Sequence, residues 1–368
     1  MKWLITSVGS LIGQNILDVL EFPGFSRRSL VKIVGVNSVP DTPGNFRCDR
    51  CYLAPPTAAA EYPSRICEIL EEETPDLILC GRDEETLVLS RLKTQRPDLP
   101  GVLTCASPHA ALVGLDKWQT WLFARRHGLP SAESFMLGES GNEADLEAFC
   151  QRVGYPVIAK PVRGSASRGV CFVRDFADAQ SMAQLQGCFF QEYLGDPLKL
   201  EPYFASLRGP FPLFSCAPDA GFHSCLTMIA PDGQFTPIFV SYNHQEYGQS
   251  LWNRRISDAT LEQLTRAYAR AFVAEGGAGP LNLAFRRDRQ GNWKVQEINL
   301  RHTGSTLARF LLGLDELYFT VRDFLPEVEF PEMHPGEIGG SDQVSKRLYT
   351  YSIPDSATLK GSGVWSRS

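Results

Sequence analysis

An α/β chain built on a doubly wound parallel sheet is what this sequence predicts, and three observations carry the prediction. Strand and helix signals alternate through the first hundred residues. A run rich in Gly and Ser, Gly164 to Gly169, separates two short apolar strands. A row of polar residues, Glu297, Asn299 and Arg301, closes a strand near residue 300.

Lys2 to Thr6 reads as the first strand. Leu11 to Leu20 is helix-like after the turn Ser7-Val8-Gly9-Ser10, and Val31 to Val36 is a second strand. Tyr62 to Glu72 reads as a helix, Leu77 to Cys80 as a third strand and Glu84 to Leu92 as a helix. Ligands of such sheets sit at the carboxyl ends of the strands. That gathers Ser7 to Gln14 and Gly81 to Glu85 around one crevice. Gly9 and Gly13 suggest a dinucleotide loop, but the pattern is incomplete, and a tight strand-to-helix turn asks for the same glycines. Use of NAD(P) stays open on that ground.

Ser107-Pro108 opens a helix as cap and first residue. Asp116-Lys117 begins the next, which stops at Gly128. Glu143 to Val153 is amphipathic, and strands dominate from there to about residue 240. Leu261 to Glu275 is a helix, 281–286 and 293–299 form a hairpin-like pair, and Thr306 to Leu312 is helical. Glu327 to Val344 reads as a linker and the remainder as a frayed tail.

With 368 residues, a formal net charge of −6 and no long basic run, the chain is not built around a nucleic-acid surface. No stretch is long and apolar enough to span a bilayer, and no leader-like segment precedes the first strand, so a cytoplasmic protein is expected. The ten cysteines are scattered, many inside apolar runs. Cys48 and Cys51 have the spacing of half a zinc site, with no second pair to complete it.

If the strand of Trp293 to Val295 continues, alternation puts Glu297, Asn299 and Arg301 on one face with Trp293 and Val295. A carboxylate and a carboxamide oxygen suit Mg²⁺, and a guanidinium suits a phosphoryl oxygen. A solvated edge strand would read the same. The strand Val157 to Pro161 ends in Lys160, and the loop after it offers backbone N–H groups, hydroxyls and Arg168 to a polyphosphate. It lacks the Gly-Lys-Ser/Thr of a Walker loop. Phe189 to Gly195 reads as a strand entering a hinge, with apolar walls suited to a planar base or to ordinary packing. His302 and Ser305 follow Arg301 in a glycine-containing turn and could donate to an oxyanion, although Ser305 also suits a helix cap.

The order of Gly154-Tyr155-Pro156-Val157-Ile158-Ala159-Lys160-Pro161, the Gly164 to Gly169 loop and Glu297-Ile298-Asn299-Leu300-Arg301 resembles the ATP-grasp superfamily, particularly its carbamoyl-phosphate-synthase-like and pyrrolysine-ligase-like members. The resemblance covers about residues 1 to 315. It implies a Rossmann-like pre-ATP-grasp domain (1–105), then a two-lobed α+β ATP-grasp fold with a small lobe (106–190) and a large lobe (191–325), followed by linker and tail (326–368). It implies that Lys117 and Lys160 hold ATP phosphates under a cover of Gly164, Ser165, Ser167, Arg168 and Gly169. Glu192, Tyr193 and Leu194 would line the adenine site. Glu297 and Asn299 would bind Mg²⁺ or Mn²⁺, with Asn282 on the preceding strand as a further oxygen ligand, and Arg301 would steady the transferred phosphoryl group. Arg255 lies where relatives carry a phosphate- or substrate-binding base, and Ser305 joins it as a candidate. The implied activity is an ATP-dependent carboxylate–amine ligase acting through an acyl phosphate, with small carboxylates and amines as substrates and a homodimer allowed. A nucleotide-binding sensor with the same fold is the alternative, motivated by the lone amide at Asn282. The segment 196–221 looks like an insertion.

Overall fold

The computed structural model describes residues 1–105, 107–164, 167–207, 221–246, 249–333, 341–346, 353 and 356–367. The opening segment runs β1 (Lys2–Thr6), α1 (Leu11–Leu20), β2 (Lys32–Asn37), β3 (Arg50–Leu53), α2 (Tyr62–Glu73), β4 (Leu77–Leu79), α3 (Asp83–Gln95) and β5 (Val102–Leu103). β1 pairs in parallel with β2 on one side and β4 on the other, so the chain winds outward both ways from it. The turn from β1 into α1 is tight. A Cβ on Gly13 would fall 2.5 Å from the Val8 carbonyl oxygen, and one on Gly9 would fall 2.1 Å from Thr42 Oγ1. Close approach therefore accounts for both glycines without a dinucleotide. Ser10 caps α1 by accepting from Gly13 N.

β3 was not foreseen. It holds Cys51, and Gly35 on β2 makes room for the buried Cys48 and Cys51 thiols, so the Cys-x-x-Cys spacing serves core packing.

Two helices, α4 (Pro108–Leu115) and α5 (Lys117–Arg126), lead to a second sheet. It contains β6 (Ser134–Phe135), α6 (Glu143–Val153), β7 (Val157–Pro161), β8 (Cys171–Val173), α7 (Phe176–Ala183) and β9 (Cys188–Glu192), with strand order β6-β9-β7-β8. A short helix, α8 (Glu201–Ser206), follows. The third sheet is antiparallel and built from β10 (Phe222–Ile229), β11 (Phe239–Glu246), β12 (Gln249–Arg255), β13 (Gly279–Arg287) and β14 (Trp293–Asn299). One face packs on α9 (Ala259–Ala274) through Leu281, Leu283, Phe285 and Phe272, and the other faces a cleft.

Next come α10 (Thr306–Leu311) and α11 (Glu316–Phe324). Phe310, Leu317 and Val321 lie against Trp3, Ile5 and Ile33, so one face of the first sheet is covered by helices from the far end of the chain. Arg27 and Asp315 seal that junction with a bidentate pair at 2.5 and 3.0 Å, both side chains only 2% exposed.

The linker and frayed tail expected after residue 326 need correcting. Phe330 and Met333 are buried in that same core. β15 (Gln343–Ser345) pairs with β12, and beyond α12 (Ser356–Ser362) the strand β16 (Val364–Ser366) pairs antiparallel with β3. Both strands occupy sheet edges, which otherwise present unpaired backbone groups. Trp365 meets Phe46 edge-on at 5.4 Å, which anchors the last strand.

Candidate active site

The site is a cavity of about 410 Å³ bounded by all three sheets. Its metal-binding candidates come from neighbouring strands: Asn282 stands directly opposite Asn299, and Ala284 opposite Glu297. Next to that pair the register shifts, because Phe285 opposes Val295. The extra residue on β14 reverses the alternation. Trp293 and Val295 therefore join Ile298 and Leu300 in the core beneath, while Glu297 and Asn299 turn to the cleft. The simple alternation expected from sequence, with Trp293 and Val295 on the polar face, is wrong for that reason.

Opposite this row stands the lysine wall. Asp116 caps α5, accepting from Trp118 N and Gln119 N. Lys117 N donates to the Val162 carbonyl, which holds the start of the helix beside the end of β7. Lys117 Nζ then donates to the Gly164 carbonyl at 2.8 Å and lies 3.9 Å from Glu297 Oε1. Lys160, only 8% exposed, has its ammonium 5.5 Å from the centre of the Phe189 ring. Burial lowers its pKa to about 8; Glu297 opposes the shift and Lys117 adds to it. Two ammonium groups against one carboxylate leave this wall in need of an anion.

Gly164, Ser167 and Arg168 line the cavity between the walls. Gly164 has φ of +146°, and a Cβ there would come no nearer than 3.6 Å to Pro161, so backbone conformation is what requires glycine there. Gly169 sits behind, against Pro161. Ser165 lies outside the described residues.

Arg301 borders the cavity, donating to Asp83 Oδ2 at 2.6 Å and to the His302 carbonyl at 3.0 Å. Burial raises the Asp83 pKa, and Arg301 works against that rise. Ser305 also lines the cavity and makes no side-chain cap to α10.

Several expectations change. His302 turns inward, its Nδ1 3.0 Å from Glu316 Oε2 and its Nε2 3.3 Å from Thr320 Oγ1, so it does not reach the cleft. Burial pushes the Glu316 carboxyl up, but Arg309 and His302 together hold it down at about 2. Arg255 lies beyond the cleft; its guanidinium packs 5.1 Å from the Phe239 ring centre and donates to the Leu312 carbonyl. The apolar cluster of Leu226, Phe239 and Leu312 fills that end of the sheet.

Glu192, Tyr193 and Leu194 do not border this cavity. The Glu192 carboxylate accepts from Glu133 N at 2.7 Å and Lys294 Nζ at 2.5 Å, clamping β9 to β14. Tyr193 packs on Phe172 and beneath Arg286. Of the segment read as an insertion, 208–220 lies outside the described residues.

Sequence reasoning missed two residues here. Asp83 was placed near the crevice without its partner. Lys346, assigned to a linker and tail, reaches the cavity through β15; no local pattern marks it.

Oxygens of Glu297, Asn299 and Asn282 form a donor set suited to Mg²⁺. Ser224 Oγ donates to Asn282 Oδ1 at 2.7 Å, which fixes that amide with its oxygen on the cleft side of the sheet. Among the described residues no three His, Cys, Asp or Glu side chains cluster to hold a metal. The set therefore suits an ion that takes its remaining ligands from phosphates and water.

A three-sheet chain with a cleft between a lysine wall and a Glu-x-Asn row defines a class, and the fold of this chain is the ATP-grasp fold. No family model matches the sequence. Among curated proteins it is similar to the D-alanine–D-alanine ligase of Chromohalobacter salexigens, 29% identical over 197 residues, covering 52% of this chain and 56% of that one. It is similar also to that of Stutzerimonas stutzeri, 26% identical over 252 residues, covering 63% and 74%. The chain thus spans little more than half the length of the first of these relatives. The biotin carboxylase domain of Hydrogenobacter thermophilus 2-oxoglutarate carboxylase, crystallised with MgADP, ADP and bicarbonate, shares the fold. Its TM-score is 0.65 at 13% identity, covering 88% of this chain and 69% of that one. N5-carboxyaminoimidazole ribonucleotide synthetase from Thermotoga maritima has a TM-score of 0.59, also at 13% identity, covering 91% and 77%. No described helix is long and apolar enough to cross a membrane.

Proposed function

We propose that this protein is an ATP- and Mg²⁺-dependent ligase that joins a small carboxylate to an amine, with ADP and phosphate as co-products. The observation that carries the reading is Lys117, bonded to the Gly164 carbonyl on one wall and 3.9 Å from the Glu297 carboxylate on the other. A magnesium triphosphate fits that charge pattern, since phosphoryl transfer needs positioning and neutralisation more than covalent catalysis.

In this reading a carboxylate oxygen attacks the γ-phosphorus and ADP leaves, giving an acyl phosphate. The amine nitrogen then attacks the carbonyl carbon, phosphate departs, and the amine gives up a proton. Lys117, Lys160 and Arg168 hold the phosphates. Glu297, Asn299 and Asn282 would hold Mg²⁺, which would supply charge neutralisation to the phosphates. Arg301, fixed by Asp83, faces the oxygens that gain charge. Gly164, Ser167 and Arg168 line the site, and the loop that carries them would limit water there. The names of the relatives agree with C–N bond formation, and the particular acid and amine stay open.

An ADP-release screen over amino acids, small peptides, ammonia and bicarbonate tests the reading. An ¹⁸O-labelled acid should pass label to the released phosphate, and its absence there rules out the acyl phosphate. One observation favours a second reading, a nucleotide sensor: Glu297 is the only charged member of the metal set. ATP binding unaffected by Mg²⁺, with no turnover on any acid, would favour the sensor.

A further inference from the structure

The C-terminal segment brings the cleft a cation that the metal row and the glycine-rich loop leave unexplained. β15 runs along the edge of β12, and Lys346 N donates to the Leu251 carbonyl just beyond it. This sets Lys346 Nζ on the turn after Arg301, where it donates to the Gly304 carbonyl and, at 3.3 Å, to Ser305 Oγ. Both acceptors are neutral. Arg301 has Asp83 and Lys117 faces Glu297, yet among the described residues no carboxylate pairs with Lys346. Burial, and then the charge of Arg309, lowers its pKa to about 8. A half-buried ammonium without a counter-charge costs free energy that an anion from solution can return.

Position narrows the anion. Gly304 is pressed on Leu11; a Cβ there would fall 2.6 Å from the leucine side chain. Lys346 therefore stands at the first-domain end of the cavity, beside the start of α1. The triphosphate groups, Lys117, Gly164 and Arg168, belong to α5 and the loop after β7. Arg301 lies between the metal row of β14 and the Gly304–Ser305 turn that Lys346 contacts.

We propose that Lys346, with the Ser305 hydroxyl, seats the carboxylate of the acid substrate, so that a residue from the C-terminal segment selects for an anionic co-substrate. The word substrate rests on the ligase reading above; the carboxylate seat itself does not.

The test uses the full chain loaded with Mg²⁺ and β,γ-imido-ATP, as wild type, Lys346→Met and Lys346→Arg. Each is titrated calorimetrically with acetate, glycine, both alanine enantiomers and β-alanine, against sodium chloride at matched ionic strength. At least one acid is expected to bind the wild type. Lys346→Met should weaken it tenfold or more and Lys346→Arg should restore most of the affinity, with nucleotide affinity kept within twofold. Three results overturn the assignment: equal acid affinity in wild type and Lys346→Met, loss of nucleotide affinity in place of acid affinity, or no acid binding to the wild type. Acid binding that depends on Lys346, with no ATP turnover in the presence of any amine, upholds the seat and removes only the ligase reading.

Discussion

Arg301 reaches from the end of the metal strand to Asp83 at the first turn of α3, with 2.6 Å between Nη2 and Oδ2. A large-lobe guanidinium is thereby aimed by a first-domain carboxylate inside the cleft. Asp83→Asn keeps the shape and removes the charge. Since misplacing a catalytic group by about 1 Å can cost roughly 10²-fold, kcat should fall about ten- to a hundredfold with KM for ATP little changed. Steady-state kinetics over ATP and acid separates the two; an equal change in both constants would argue for general damage.

Glu297→Gln removes the only carboxylate of the metal set and should leave the fold intact, because the side chain is 36% exposed. Metal-borne charge stabilisation is worth several kcal/mol, so turnover should drop by about 10²-fold or more. The dependence on Mg²⁺ concentration should shift upward. An unaltered Mg²⁺ titration would show that the ion binds elsewhere.

The Lys160 pKa near 8 makes nucleotide binding pH-dependent. Below that value the lysine is charged and attracts phosphate; above it the charge is lost, so ATP affinity should decline as pH rises past 8. A bound phosphate restores the charge, and binding at pH 8.5 should take up protons, visible as a buffer-dependent calorimetric enthalpy. Lys160→Met should diminish that uptake. The stability sign is separate. The folded pKa lies below the unfolded 10.5, so between these values the unfolded chain binds more protons and this group's contribution to stability rises with pH.

Asp315→Ala should destabilise the protein by about 3–5 kcal/mol, because it strands the Arg27 guanidinium, 2% exposed, with its charge unpaired. Arg27 also donates to the Pro331 carbonyl and stacks 4.7 Å from the Phe330 ring centre. The loss should therefore be cooperative between the first sheet and α11. Urea unfolding followed by tryptophan emission reads it; a midpoint equal to wild type would mean that the pair contributes nothing.

Arg255→Ala should leave turnover within about twofold, since the side chain packs on Phe239 outside the cleft, and cost about 0.5–1 kcal/mol of stability through that ring contact. A large kinetic loss at normal stability would return Arg255 to the list of working residues.

Local chemistry determined much of this protein from sequence alone. Alternating periods gave the parallel first sheet, Ser10 and Asp116 capped their helices as their residue types require, and Lys117, Arg168, Glu297, Asn299 and Arg301 line one cavity. These features depend on residues close together in the chain, where spacing and backbone preference act directly. What the tertiary structure alone decided depends on registers and long returns. A bulge beside Ala284 sent Trp293 and Val295 to the core, Glu316 drew His302 inward, and an apolar cluster removed Arg255 from the cleft. Pairing along the edge of β12 carried Lys346 into the site. No short-range pattern encodes which strand meets a free edge some ninety residues away, because that choice is made by burial and backbone pairing across the whole molecule.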